Sequence, residues 1–142
     1  MDRALEFAAN HPILISTAVF LTILTLANEI RMVTRRGVDL GPNEAVRLIN
    51  GGATVVDVRS FERYKGGHII NARHIPLDEI ADKAPKKLAA LKSKPVVVYD
   101  DNGMASNRAV ALLRGLGFEQ VVNLKGGIGA WARENFPLEK GK

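Results

Sequence analysis

Asp100, Asp101 and Ser106 stand within seven residues of one another directly after an apolar run. Two carboxylates and a hydroxyl at that spacing invite two chemistries. Asp100 as a phosphoryl acceptor needs a divalent metal held by further acids and a cation for the phosphate. Within the loop Asp100, Asp101, Asn102, Gly103, Met104 and Ala105, only Asp101 is at hand. Ser106 as a nucleophile needs a base, and its place before a helical pattern makes it an N-cap instead. His68 has the type of a general base, but no serine or cysteine is paired with it by spacing. His11, His68 and His74 lack metal-ligand spacing, so no metal site is expected. The 142 residues contain no cysteine, which removes disulfides, thiolate chemistry and sulfur-rich metal sites.

The elements that position these residues can be read from the hydropathy pattern. Pro95 opens the unbroken run Val96-Val97-Val98-Tyr99, which suits a strand covered on both faces, as in a parallel sheet. Beyond the loop, Ala109, Leu112, Leu113 and Leu116 recur at helical spacing, and Gly115 or Gly117 ends the helix. A helix starting past the carboxyl end of a strand points its free N–H groups into the loop, which favours an anion there. With charge −2 and no basic residue, the loop from Asp100 to Ala105 is expected to absorb that field with its own aspartates.

The amino-terminal third is different in kind. Phe7 to Asn28 carries no formal charge over 22 residues, and a helix needs about 20 apolar residues to cross a bilayer. Thr25-Leu26-Ala27 would also pass as a signal cleavage site, but the amino end is not basic, because Asp2 and Glu6 offset Arg3. Ser16, Thr17, Thr22 and Thr25 could line a contact between helices or bond back to their own helix. Arg31, Arg35 and Arg36 follow the span, so the positive-inside rule places the following domain in the cytoplasm. Glu29 to Gly37 reads as a short basic linker that keeps that domain near lipid.

The rest alternates strand and helix. Val38-Asp39-Leu40 is a first strand, Asn43 to Asn50 a helix entered through Gly41-Pro42, and Thr54 to Val58 a second strand. Phe61 to Lys65 is a helical turn before Gly66-Gly67, and Arg73 to Ile75 a third strand closed by Pro76. Leu77 to Ala81 and Ala84 to Leu91 are short helices, the second flanked by Lys86, Lys87, Lys92 and Lys94. This cluster reads as a solvated face or as a contact for anionic lipid. Gln120 to Leu124 is the last strand and Gly127 to Glu134 the last helix, with Trp131 in the core and a loose polar tail from Asn135. The net charge of +5 suits an anionic membrane surface, whereas the few aromatics and scattered lysines argue against nucleic acid.

Three motifs in this order, Asp57-Val58-Arg59, Gly67-His68-Ile69 and Leu124 to Trp131 with Gly126-Gly127, together with the stretch from Pro95 to Phe118, resemble the single-domain rhodanese (sulfurtransferase) family over roughly Val38 to Phe136. With the apolar segment in front, the chain is similar to the bacterial membrane-anchored rhodanese-like proteins of the YibN type. The resemblance implies a three-layer α/β fold around a mainly parallel five-stranded sheet. It also implies that Asp100 stands where the family's catalytic cysteine begins the active loop. Gly103 and Ser106 match the family loop, Ala105 replaces an arginine that many members carry, and Asn71 replaces a second glycine. Asp57, Arg59 and His68 are, by the same resemblance, a supporting framework rather than a catalytic set.

Rhodanese chemistry needs a thiol that is activated by helix amides and cations and then carries sulfur as a persulfide. Neither a carboxylate nor a hydroxyl holds that sulfur. The expectation is therefore a membrane-anchored domain without a cofactor and without the family's own reaction. It would bind a membrane or membrane-associated protein, or serve as an accessory in sulfur transfer whose thiol comes from a partner.

Overall fold

The computed structural model describes residues 1–35 and 38–141. The chain divides into two units, Met1–Thr34 and Arg35–Lys142.

In the first unit, helix α1 (Asp2–Asn10) ends at His11, and Pro12 opens helix α2 (Pro12–Arg35), at the position where a missing N–H costs nothing. Pro12–Ile30 is long and apolar enough to cross a membrane. The uncharged stretch is thus split, its first four residues falling in α1. The hydroxyls of Ser16, Thr17, Thr22 and Thr25 each donate to the carbonyl four residues back at 2.7–2.8 Å, so of the two readings back-bonding is the one adopted. The expected linker is helical as far as Arg35, because nothing between Glu29 and Arg35 breaks a helix. Its last two positions, 36 and 37, lie outside the described residues.

The second unit is a sheet between two helical layers. Strands β1 (Val38–Leu40), β2 (Thr54–Asp57), β4 (Arg73–His74), β5 (Pro95–Tyr99) and β6 (Gln120–Leu124) lie in the order β1-β6-β5-β2-β4, and every pairing is parallel. Along β5, Val96 and Val98 face one layer while Val97 and Tyr99 face the other, and all four are fully buried. Burial on both faces explains the unbroken apolar run. Helices α5 (Ile80–Lys87) and α6 (Ser106–Gly115) cover the first face through Ile80, Ala84, Ala109, Val110 and Leu113. Helices α3 (Pro42–Asn50), α4 (Phe61–Gly66) and α7 (Gly127–Arg133) contribute Ala45, Tyr64 and Trp131 to the second.

Two local expectations are corrected. The tail is not loose: β7 (Leu138–Glu139) pairs antiparallel with β3 (His68–Ile69), the indole of Trp131 donates to Pro137 O at 3.2 Å, and Gly141 N donates to Lys65 O at 3.0 Å. His68 therefore lies in a strand. Ser106 is not the cap residue. Ala105 holds that position, and Ser106 begins α6 with its hydroxyl turned inward, where a carboxylate and an amide oxygen attract it more strongly than backbone N–H groups.

Candidate functional site

The carboxyl end of β5 delivers Asp100 into a loop folded over its own side chain. Asp100 is 6% exposed. Its Oδ1 accepts from Gly103 N and from Ser106 Oγ, the latter at 3.1 Å, and its Oδ2 accepts from Ala105 N at 2.9 Å. Met104 N donates to Asn102 Oδ1 at 3.0 Å. The amides that lead into α6 are thus occupied by the loop's own acids and amides, and a buried carboxylate so surrounded needs no external partner. Phosphoryl transfer through Asp100 is correspondingly disfavoured, since both its oxygens are directed at the loop.

The loop can close this tightly because of two glycines. Gly103 has φ +89° and Gly127 φ +60°, where side chains other than glycine are strained. A Cβ on Gly127 would lie 2.5 Å from Asp100 O and 2.6 Å from Asn102 N. Without it, Ile128 N donates to Asp100 O at 2.9 Å, so α7 holds the loop from below.

Sequence reasoning missed two parts of this site. The first is Asn123, buried in β6, whose Oδ1 accepts from Ser106 Oγ while its Nδ2 donates to Gly103 O at 2.9 Å and Asp39 Oδ1 at 3.0 Å. A lone amide inside the apolar run Val121-Val122-Asn123-Leu124 was the available signal, because a buried polar side chain implies partners. The second is Arg63. Its Nη1 lies 2.6 Å from Asp101 Oδ2, and Arg59 Nη1 lies 3.6 Å from Asp101 Oδ1. The loop has no cation of its own, but α4 and the end of β2 bring two to it, and Asp101 engages both at the mouth of a shallow pocket floored by Gly67, Ile128 and Gly129.

Beneath the loop lies the framework of Asp57, Arg59 and Tyr99. Asp57 is fully buried. It accepts from Arg59 N at 2.9 Å, Arg59 Nε at 3.0 Å, Arg59 Nη2 at 2.7 Å and the Tyr99 hydroxyl at 2.6 Å. Arg59 Nη2 also donates to Gly67 O at 2.6 Å, and Tyr99 Oη accepts from Ile69 N at 3.1 Å. Burial lowers the proton affinity of Arg59, but the hydrogen bond and charge of Asp57 more than offset it and hold the guanidinium above its ordinary value. Burial, then the charge of Asp57 and its hydrogen bond, push the Tyr99 phenol far up, so it stays a donor. The charges of Asp57 and Arg59 are directed at each other and at neighbouring backbone and phenol groups. Glu62, the third charged residue after Asp57 and Arg59, is exposed.

His68 is fully buried and stacked on Tyr64 at 3.9 Å between ring centroids. Its Nδ1 donates to Tyr64 O at 2.7 Å, and its Nε2 faces Glu139 Oε1 at 3.1 Å. Both nitrogens are engaged away from Asp100 and Ser106, so His68 anchors the β3–β7 pair and is no base for the loop. Among the described residues, no group of three acids, histidines or cysteines could hold a metal ion.

With the geometry established, comparison with known proteins places it. The family profile described as Rhodanese-like domain matches residues 41–134. The chain is 35% identical to the uncharacterized protein YibN of Escherichia coli (strain K12), over the full length of both. It is also 35% identical to the thiosulfate sulfurtransferase GlpE of Ectopseudomonas mendocina, across 70% of this chain and 88% of that one. Among solved structures, the rhodanese-like domain of the Anabaena protein Alr3790 superposes with a TM-score of 0.65 at 33% identity, covering 72% of this chain and 78% of that one. The chain therefore belongs to the rhodanese-like domain family, with an aspartate opening the loop after β5 and no cysteine anywhere in its sequence.

Proposed function

We propose that this protein is a membrane-anchored rhodanese-like domain that does not run the cysteine-dependent reaction and instead binds a membrane or membrane-associated protein. The observation that carries the reading is the Asp100 carboxylate, which takes the loop amides that a reacting sulfur anion would otherwise require. The apolar helix and the arginines after it support an inner-membrane anchor with the domain on the cytoplasmic side. Met104, 75% exposed in the loop, and Phe61, 56% exposed on α4, offer apolar contacts for a protein partner.

The likeness to thiosulfate sulfurtransferases favours one second reading, an accessory role in sulfur transfer in which a partner brings the thiol. Photo-crosslinkers at Met104 and at Ala89 in the full chain, expressed in cells, test the docking reading. Capture of one defined membrane protein from Met104 only is the expected outcome, and identical capture from both positions contradicts it. A captured protein whose own cysteine becomes persulfidated only in the presence of this chain would select the second reading.

A further inference from the structure

Residues 83–94 contain Lys83, Lys86, Lys87, Lys92 and Lys94 and no acid. Those five charges equal the net charge of the entire chain, +5, so the remainder is balanced. Lys83 is paired with Glu79 at 2.5 Å, whereas Lys86, Lys87, Lys92 and Lys94 are exposed and enter no ion pair among the described residues. Arg73 adds to the cluster, its Nη1 donating to Lys87 O at 3.2 Å.

The topology sets where this charge lies. All five strands are parallel, so their amino ends share one end of the sheet. Helix α5 returns from the carboxyl end of β4 to the amino end of β5, which carries Lys86 and Lys87 toward that end. The turn that follows is fastened there, with Glu119 N donating to Lys92 O at 2.9 Å and Gln120 Nε2 to Ser93 O at 2.8 Å. Asp100 lies at the opposite end of β5, about 17 Å away at strand rise. The polypeptide enters the domain at Val38, the amino end of β1, and therefore at the same end of the sheet as the lysines.

From this juxtaposition we propose that the Lys83–Lys94 face binds the anionic phospholipid headgroups of the bilayer that anchors the chain, leaving the Asp100 loop at the end turned away from lipid. The proposal rests on the anchoring reading above. Exposed, unpaired ammonium groups on flexible stems suit a fluid anionic surface, each adding a small increment of affinity that salt screens. The covalent path through Val38 supplies the proximity.

Because the chain has no cysteine, Ala90→Cys, an exposed position between the lysines, gives a unique thiol for a fluorophore. The labelled full chain is placed in phosphatidylcholine nanodiscs with or without about 30% phosphatidylglycerol, both carrying a headgroup quencher. Expected is about threefold stronger quenching with the anionic lipid, abolished by high salt and by changing Lys86, Lys87, Lys92 and Lys94 to Gln in a variant that incorporates and folds like the parent. Equal quenching in both discs overturns the proposal, as does equal quenching together with binding of polyglutamate, which would assign the face to an acidic protein. Failure to enter neutral discs would overturn the anchoring alone, and the same comparison on phosphatidylcholine and phosphatidylglycerol vesicles then decides the lysine face.

Discussion

Asp100 is the residue on which the site turns, and its replacement reports how the loop is held. Alanine at this position leaves the buried N–H of Gly103 without its acceptor and removes one partner each from Ala105 N and the Ser106 hydroxyl, which keeps Asn123, at a cost of about 1–3 kcal/mol. Urea unfolding followed by the fluorescence of Trp131, the only tryptophan, is expected to show that loss, and an unchanged midpoint would mean the loop does not depend on the carboxylate. That an acid of the loop takes its amides was legible in the sequence, because free N–H groups before a helix attract the nearest carboxylate. Arg63 was not, since its contact with Asp101 joins residues 38 apart and leaves no spacing signal. Ser106 reads as a cap from its place before the helical pattern but begins α6 with its hydroxyl turned inward, for hydroxyl direction depends on Asn123, a residue on a distant strand.

At the scale of elements, close approach of the loop to α7 depends on Gly127. A methyl group there meets backbone at 2.5–2.6 Å on three atoms, so Gly127→Ala is expected to lower stability by about 2–4 kcal/mol in the same unfolding measurement. Gly66→Ala, where a Cβ meets nothing within 4 Å, serves as the control. The β3–β7 pair behaves differently because it is held by Glu139. The Asn71 N–H bond lowers the proton affinity of Glu139, partial burial opposes this, and the bond and charge of His68 lower it further. A carboxyl held below its ordinary 4.5 contributes stability that is fully present above that value and lost as pH falls through the lower folded one. The Asn71 amide resonance should therefore titrate with a midpoint below 4.5, and a midpoint at or above it would contradict the latch. These short strands were illegible in the sequence: two residues carry no period, and their pairing spans about seventy positions. By contrast β2, β5 and β6 announced themselves through apolar runs covered on both faces.

Taken whole, the molecule joins an apolar helix to a domain that has kept the rhodanese-like framework while its loop is filled by its own acid. The framework's charges are matched in pairs, Asp57 with Arg59 and Asp101 with Arg63, and the uncompensated charge gathers on residues 83–94 at the far end of the sheet. The Asp100 loop and the proposed lipid-binding lysines thus lie at opposite ends of one parallel sheet. The most direct test of this account is sulfur transfer by the purified full chain from thiosulfate to cyanide. The account expects no thiocyanate above the enzyme-free blank. Sustained turnover on the order of 1 s⁻¹ or faster, from protein free of other sulfurtransferases, would contradict it.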